Sequence, residues 1–159
     1  MTATFQLVGL EAAPFQPLFE LPDAELRGRG VRRCVADAAH GYPCRIGLED
    51  AQPGEELLLL PWQHQPALSP YRASGPIYVR RGSVQRRLPP GEVPPYVSSR
   101  LMSLRAYDHA DLIVDAEVCE GTDAARQLQR LMADARVAYV HLHNARRGCY
   151  SCLAQRVEG

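Results

Sequence analysis

The sequence contains no lysine: all 18 basic residues are arginine. That absence excludes a Schiff-base lysine, an internal aldimine to pyridoxal phosphate and a Walker-type phosphate-binding lysine. Net charge is missing too. Eighteen arginines balance 18 acidic residues to a formal charge of +0 and a pI of about 7.0. A chain of this kind has no general attraction to nucleic acid or to an acidic membrane surface. Long hydrophobic runs are absent as well, since the longest, Leu57 to Leu60, is far too short to span a bilayer. The start, Met1-Thr2-Ala3-Thr4-Phe5, carries no basic region of the secretory type. The five cysteines are odd in number, and with no such signal the expectation is a cytoplasmic protein with reduced thiols and neither nucleic acid nor membrane as partner.

The 159 residues suffice for one domain, 1–159, with a buried core. Thr4 to Leu10 reads as a strand, Pro14 to Pro22 as a connection, Asp23 to Leu26 as a helical turn and Arg32 to Asp37 as a second strand. A loop follows, His40-Gly41-Tyr42-Pro43-Cys44-Arg45, holding a thiol and an imidazole. Glu56 to Leu60, after the Pro53-Gly54 turn signal, looks like a buried strand. Trp62 and His64 follow, and then the segment Ser69 to Pro76, which is too rich in turn formers to be regular and whose Tyr71 and Arg72 are of the type that contacts ligands. Ile77 to Arg80 is a short strand, and Arg80 to Pro95 a polar surface loop.

From Leu101 the pattern sharpens. Met102, Leu104 and Ala106 alternate with Ser103, Arg105 and Tyr107, and Leu112, Val114 and Ala116 alternate with Ile113, Asp115 and Glu117. A three-residue turn places Leu104 opposite Val114 and Ser103 opposite Asp115. Gly121-Thr122-Asp123 then opens a helix with Thr122 as N-cap, and Leu128, Leu131, Met132 and Ala135 form its apolar stripe. The fold class is therefore α+β: an antiparallel or mixed sheet with a ββαββ C-terminal half, one helix covering its apolar face.

The densest stretch of chemistry is Tyr139 to Cys152, which holds His141, His143, Cys149, Cys152 and the Arg146-Arg147 pair. Its alternation reads as a β-hairpin with Val140 and Leu142 facing the core and Tyr139, His141 and His143 facing away. With Asn144 to Gly148 as the loop, His143 lies opposite Cys149 and His141 opposite Ser151. Cys152 then falls opposite Val140 on the apolar side. One face of the sheet thus collects Ser103, Arg105, Tyr107, Asp115, Glu117, His141, His143 and Cys149, a set of polar groups that needs water or a ligand. The N-terminal half, through the Cys44 and Tyr71-Arg72 loops, is placed to form the opposite wall of a cleft.

Gly41 to Arg45, Ser69 to Arg80 (SPYRASGPIYVR), Leu104 to Asp108, Val114 to Gly121 (VDAEVCEG) and Tyr139 to Cys152 resemble, in order, an uncharacterised and mainly bacterial family catalogued as domain of unknown function 1203. Relatives place Lys-Pro before the hairpin glycine, where this chain has Arg146-Arg147. The resemblance implies no particular activity and supplies no mechanism.

Three readings of the site follow from the residues. In the first, Cys149 is a nucleophile activated by His143 and His141, while Arg105, Tyr107, Asp115, Glu117, Asn144, Arg146, Tyr71 and Arg72 orient the base or hold a small anionic substrate. In the second, His141, His143, Cys149 and Cys152 bind zinc. In the third, the arginines line a pocket for a small anion or an acidic partner group without chemistry. Cys34, Cys119 and Cys152 read as small core residues.

Overall fold

The computed structural model describes residues 3–158. In chain order its elements are β1 (Ala3–Val8), α1 (Asp23–Gly28), β2 (Arg32–Val35), β3 (Pro43–Cys44), β4 (Glu49–Asp50), β5 (Glu56–Gln65), β6 (Ala73–Arg80), α2 (Pro95–Ser98), β7 (Leu101–Tyr107), β8 (Ile113–Glu120), α3 (Ala124–Met132), β9 (Tyr139–Asn144) and β10 (Tyr150–Glu158). The strands form two five-stranded sheets, β1-β10-β9-β7-β8 and β2-β5-β6-β3-β4. The first is antiparallel throughout, and the second is parallel only where β3 meets β6. The molecule is α+β, and its C-terminal half is the ββαββ unit that the alternation predicts.

Alternation explains the layering. Met102, Leu104, Ala106, Val140 and Leu142 share one face of the first sheet, where Leu128, Leu131 and Met132 of α3 cover them in a common core. In the second sheet Leu58, Leu60, Ile77 and Val79 face the segment that carries Phe15, Phe19 and Leu26. The two sheets are tied by polar contacts. Arg45, just after β3, donates its Nε to the Tyr150 carbonyl at 2.8 Å, Arg100, just before β7, donates to Asp50 at 2.8 Å, and Gln65 Nε2 donates to the Tyr139 hydroxyl at 3.0 Å.

Several local expectations are corrected. Leu104 lies opposite Glu117 and Ser103 opposite Val118, three positions further along β8 than a tight turn gives. The cause is a wider loop in which the Asp108 carboxylate accepts from the amides of Ala110 and Leu112, together with a bulge between Ala106 and Tyr107. An odd shift exchanges faces. Asp115 and Glu117 therefore lie on the helix side, where both pair with Arg130 of α3.

The helix begins differently as well. A 3-10 turn spans Gly121–Asp123 and α3 starts at Ala124, so Asp123 and not Thr122 is the N-cap. The Asp123 carboxylate is taken by Arg126 and Gln127. Ala135 lies beyond the helix and is exposed. Strands β5 and β6 are also longer than predicted and absorb Trp62, His64 and residues 73–76. Within the expected polar loop before Pro95, Leu88 is buried in the core and Arg87 bridges to Val8.

Candidate metal centre

Strand β9 carries His141 and His143 on the face away from α3, level with Arg105 and Ser103 of β7. The sequence sets the loops of the N-terminal half opposite that face, and it is strand β5 of the second sheet that reaches the histidines. Strand β5 is bulged between Trp62 and Gln65: Trp62 pairs with Gly75 and Gln65 with Ala73, so β5 has one residue more than β6 between these pairs. A bulge breaks the alternation and re-aims a side chain. Here His64 turns to the β9 histidines, its ring 5.0 Å from His143 and 6.5 Å from His141, centroid to centroid.

One ring nitrogen from each of His64, His141 and His143 lies within 4.8 Å of the others. Each ring also keeps one buried nitrogen without a hydrogen-bond partner: Nδ1 of His64, Nδ1 of His141 and Nε2 of His143. The other nitrogen of His143, Nδ1, lies 2.9 Å from the Gly148 carbonyl. That carbonyl can only accept, so Nδ1 carries the proton and Nε2 presents its lone pair.

The walls are aromatic. Tyr150 stacks on His64 at 5.5 Å and meets His141 edge-on at 5.3 Å. Tyr107 and Tyr139 stack on each other at 5.0 Å and flank His141. The Tyr139 hydroxyl donates to Asp111 at 2.6 Å, which is how a carboxylate meets the cluster. Burial, reinforced by the neighbouring imidazoles and Arg105, holds His141 down at about 3. Burial is also the main reason His143 sits at about 4 and His64 is lowered. All three are neutral at physiological pH, the state in which imidazole binds a metal.

The residues expected to share the hairpin site are divided. Tyr150, not Cys149, lies opposite His143, because the loop is one residue longer than expected, and Leu153, not Ser151, lies opposite His141, because a bulge between Tyr150 and Cys152 adds a second residue of shift. Cys152 lies opposite Leu142 in the α3-covered core, where burial pushes its thiol up to about 12. Cys149, Asn144 and Arg146 line a separate cleft of about 700 Å3 that also receives Arg45 and Arg147. Arg105 and Tyr107 remain with the histidines, and Tyr71 meets Tyr107 edge-on at 6.0 Å. Arg72 is exposed, and Asp115 and Glu117 are on the far face.

Two residues escape the sequence reading. His64 falls between the Glu56 to Leu60 strand and the turn-rich Ser69 to Pro76 segment, where the sequence assigns no element, and only its place beyond a leucine-rich strand hints at order. Tyr150 is the ring around which the three imidazoles gather, yet in the expected register Cys149 holds its place. No curated protein and no solved structure gives a significant match to the chain. Residues 41–156 match the family model described as protein of unknown function, DUF1203. Those residues include His64, His141 and His143 and all of the residues lining the cleft except His40, and the chain belongs to that family.

Proposed function

We propose that the chain binds one divalent transition-metal ion, zinc foremost, through His64, His141 and His143, and that the ion acts on a small anionic molecule. The observation that carries this reading is the set of three buried, unpartnered ring nitrogens, one per histidine. A buried polar atom without a partner costs about 1–3 kcal/mol. One metal ion satisfies all three. Ligand nitrogens on zinc are about 3.3 Å apart at bond lengths of about 2.0–2.1 Å, so rings now within 4.8 Å need only small rotations to close on an ion.

Three protein ligands with a fourth position open is the pattern of a catalytic zinc site, and a structural site uses four. When bound, the ion supplies a Lewis acid and an activated water. The protein's part is to hold the imidazoles neutral, fix the His143 tautomer through Gly148 and exclude bulk water with the tyrosine walls. Charge indicates the substrate class. Neutral imidazoles leave the full charge of the ion in place, and Arg105 adds a cation at the level of His141. The carboxylates expected beside Arg105 are on the other face with Arg130. An anion balances this site better than a neutral molecule does.

The test is the metal content of untagged protein purified without chelator. One ion per chain is expected, lost in His64→Ala and retained in Cys149→Ser and Cys152→Ser. Loss in the cysteine variants with retention in His64→Ala would return the site to the hairpin thiols. A chain that holds no metal and takes up none of zinc, iron(II), cobalt or nickel on titration would end the proposal.

A further inference from the structure

The cleft beside the hairpin holds a charge that the protein does not balance. Arg45 is only 3% exposed and lines this cleft. Its Nε donates to the Tyr150 carbonyl at 2.8 Å and its Nη1 to the Pro43 carbonyl at 2.6 Å. Among the described residues its Nη2 has no acceptor, and no carboxylate pairs with the guanidinium. An arginine stays charged in proteins, and a buried charge is costly unless paired. Two carbonyls orient this cation without neutralising it.

The other charges of the cleft add to the excess. Arg100 and His40 both pair with Asp50 and are accounted for. Arg146 and Arg147, from the loop between β9 and β10, are exposed on its wall and form no ion pair among the described residues. Glu120 is the carboxylate that also lines it. Three unpaired arginines against one glutamate make a positive cleft in a chain whose net charge is +0. The remaining wall is apolar and aromatic, formed by Leu59, Pro76 and Tyr78, with Tyr42 edge-on to Tyr78 at 5.5 Å.

We infer that this cleft binds a small organic anion, a phosphate or carboxylate on an apolar body, with Arg45 as buried anchor and Arg146 and Arg147 closing over the charged group. The fork of a guanidinium matches both oxyanions, and the Leu59, Pro76 and Tyr78 wall takes the apolar body. The site does not depend on the metal reading, because none of its side chains belongs to the three-histidine cluster.

The test is calorimetric titration at constant ionic strength with phenyl phosphate, benzoate and inorganic phosphate. Saturable binding of phenyl phosphate or benzoate is expected, tighter than that of inorganic phosphate, and equal affinities would overturn the apolar part of the site. The paired substitution Arg146→Ala with Arg147→Ala should weaken binding about tenfold or more, whereas Arg72→Ala, outside the cleft, leaves it unchanged. Arg45→Gln should abolish it. Because Arg45 also clamps two backbone carbonyls, its variant is checked for folding by circular dichroism, and the exposed pair keeps the test decisive if it unfolds. No saturable binding of any probe, or binding indifferent to the exposed arginines, would overturn the inference. Chelator-treated protein should bind as well as untreated protein, so a metal-free chain leaves this result standing.

Discussion

His64 and His143 meet edge to face, ring centroids 5.0 Å apart and planes at 83°, although one belongs to β5 of the second sheet and the other to β9 of the first. If the pair holds a metal with His141, replacing either with alanine should lower zinc affinity by orders of magnitude while leaving the far-ultraviolet spectrum unchanged. His40→Ala, on the salt bridge to Asp50, should leave affinity unaltered. Competition with a chromophoric chelator measures both, and equal affinity in His64→Ala and the parent chain would refute the pairing.

Burial keeps His141 at about 3 and His143 at about 4, against an ordinary value of 6.5. Within that window the unfolded chain takes up protons that the folded chain refuses. The contribution to stability is thus fully present above 6.5 and lost as pH falls toward 4 and then 3. Metal-free protein should show a falling urea midpoint between about pH 6.5 and 5, and a His141→Gln, His143→Gln double variant a shallower fall. Parallel profiles would mean the rings titrate normally.

The thiols should separate by burial. Cys152 is 1% exposed with its thiol pushed up to about 12, and Cys44 is fully enclosed, whereas Cys149 is half-buried on the cleft. Alkylation of native protein at about pH 8 should label Cys149 and spare Cys44, which the reagent cannot reach, and Cys152, whose burial also suppresses the reactive thiolate. Denaturant should expose all five. Mass spectrometry of the digested protein reads the sites, and equal rates at Cys149 and Cys152 would contradict the placement of Cys152.

Two glycine-to-alanine changes should have opposite signs. A Cβ on Gly121 would lie 1.9 Å from the Val97 carbonyl oxygen and 2.6 Å from that of Arg100, both rigid backbone atoms. Gly121→Ala should destabilise by more than about 2 kcal/mol. Gly28, at the end of α1, has nothing within 4 Å of its would-be Cβ, so Gly28→Ala should stabilise by about 0.4–1 kcal/mol. Chemical denaturation of both variants settles the signs.

The core face of the first sheet was legible because period-two alternation depends on neighbouring residues: Met102, Leu104, Ala106, Val140 and Leu142 lie where their spacing puts them. The turn around Asp108 and the bulge near Cys152 were not, since each depends on the path of the loop and moves a register that the strand residues themselves do not set. His141 and His143 could be recognised as a pair on one face. The identity of their third partner could not, because it depends on the packing of one sheet against the other and on a break in β5 that no composition signals. Arg45 was legible as a loop residue and illegible as a buried charge for the same reason.

That break in β5 means the three-histidine cluster is encoded by chain length as well as by residue identity. Remove Gln63, and every histidine remains in the sequence, but β5 and β6 then have equal numbers of residues between the Trp62–Gly75 and Gln65–Ala73 pairs, and the bulge that aims His64 is lost. Within the family, the diagnostic for a shared site is accordingly the count of residues from the tryptophan to the glutamine, a gap-sensitive trait that a scan for histidines alone would pass over.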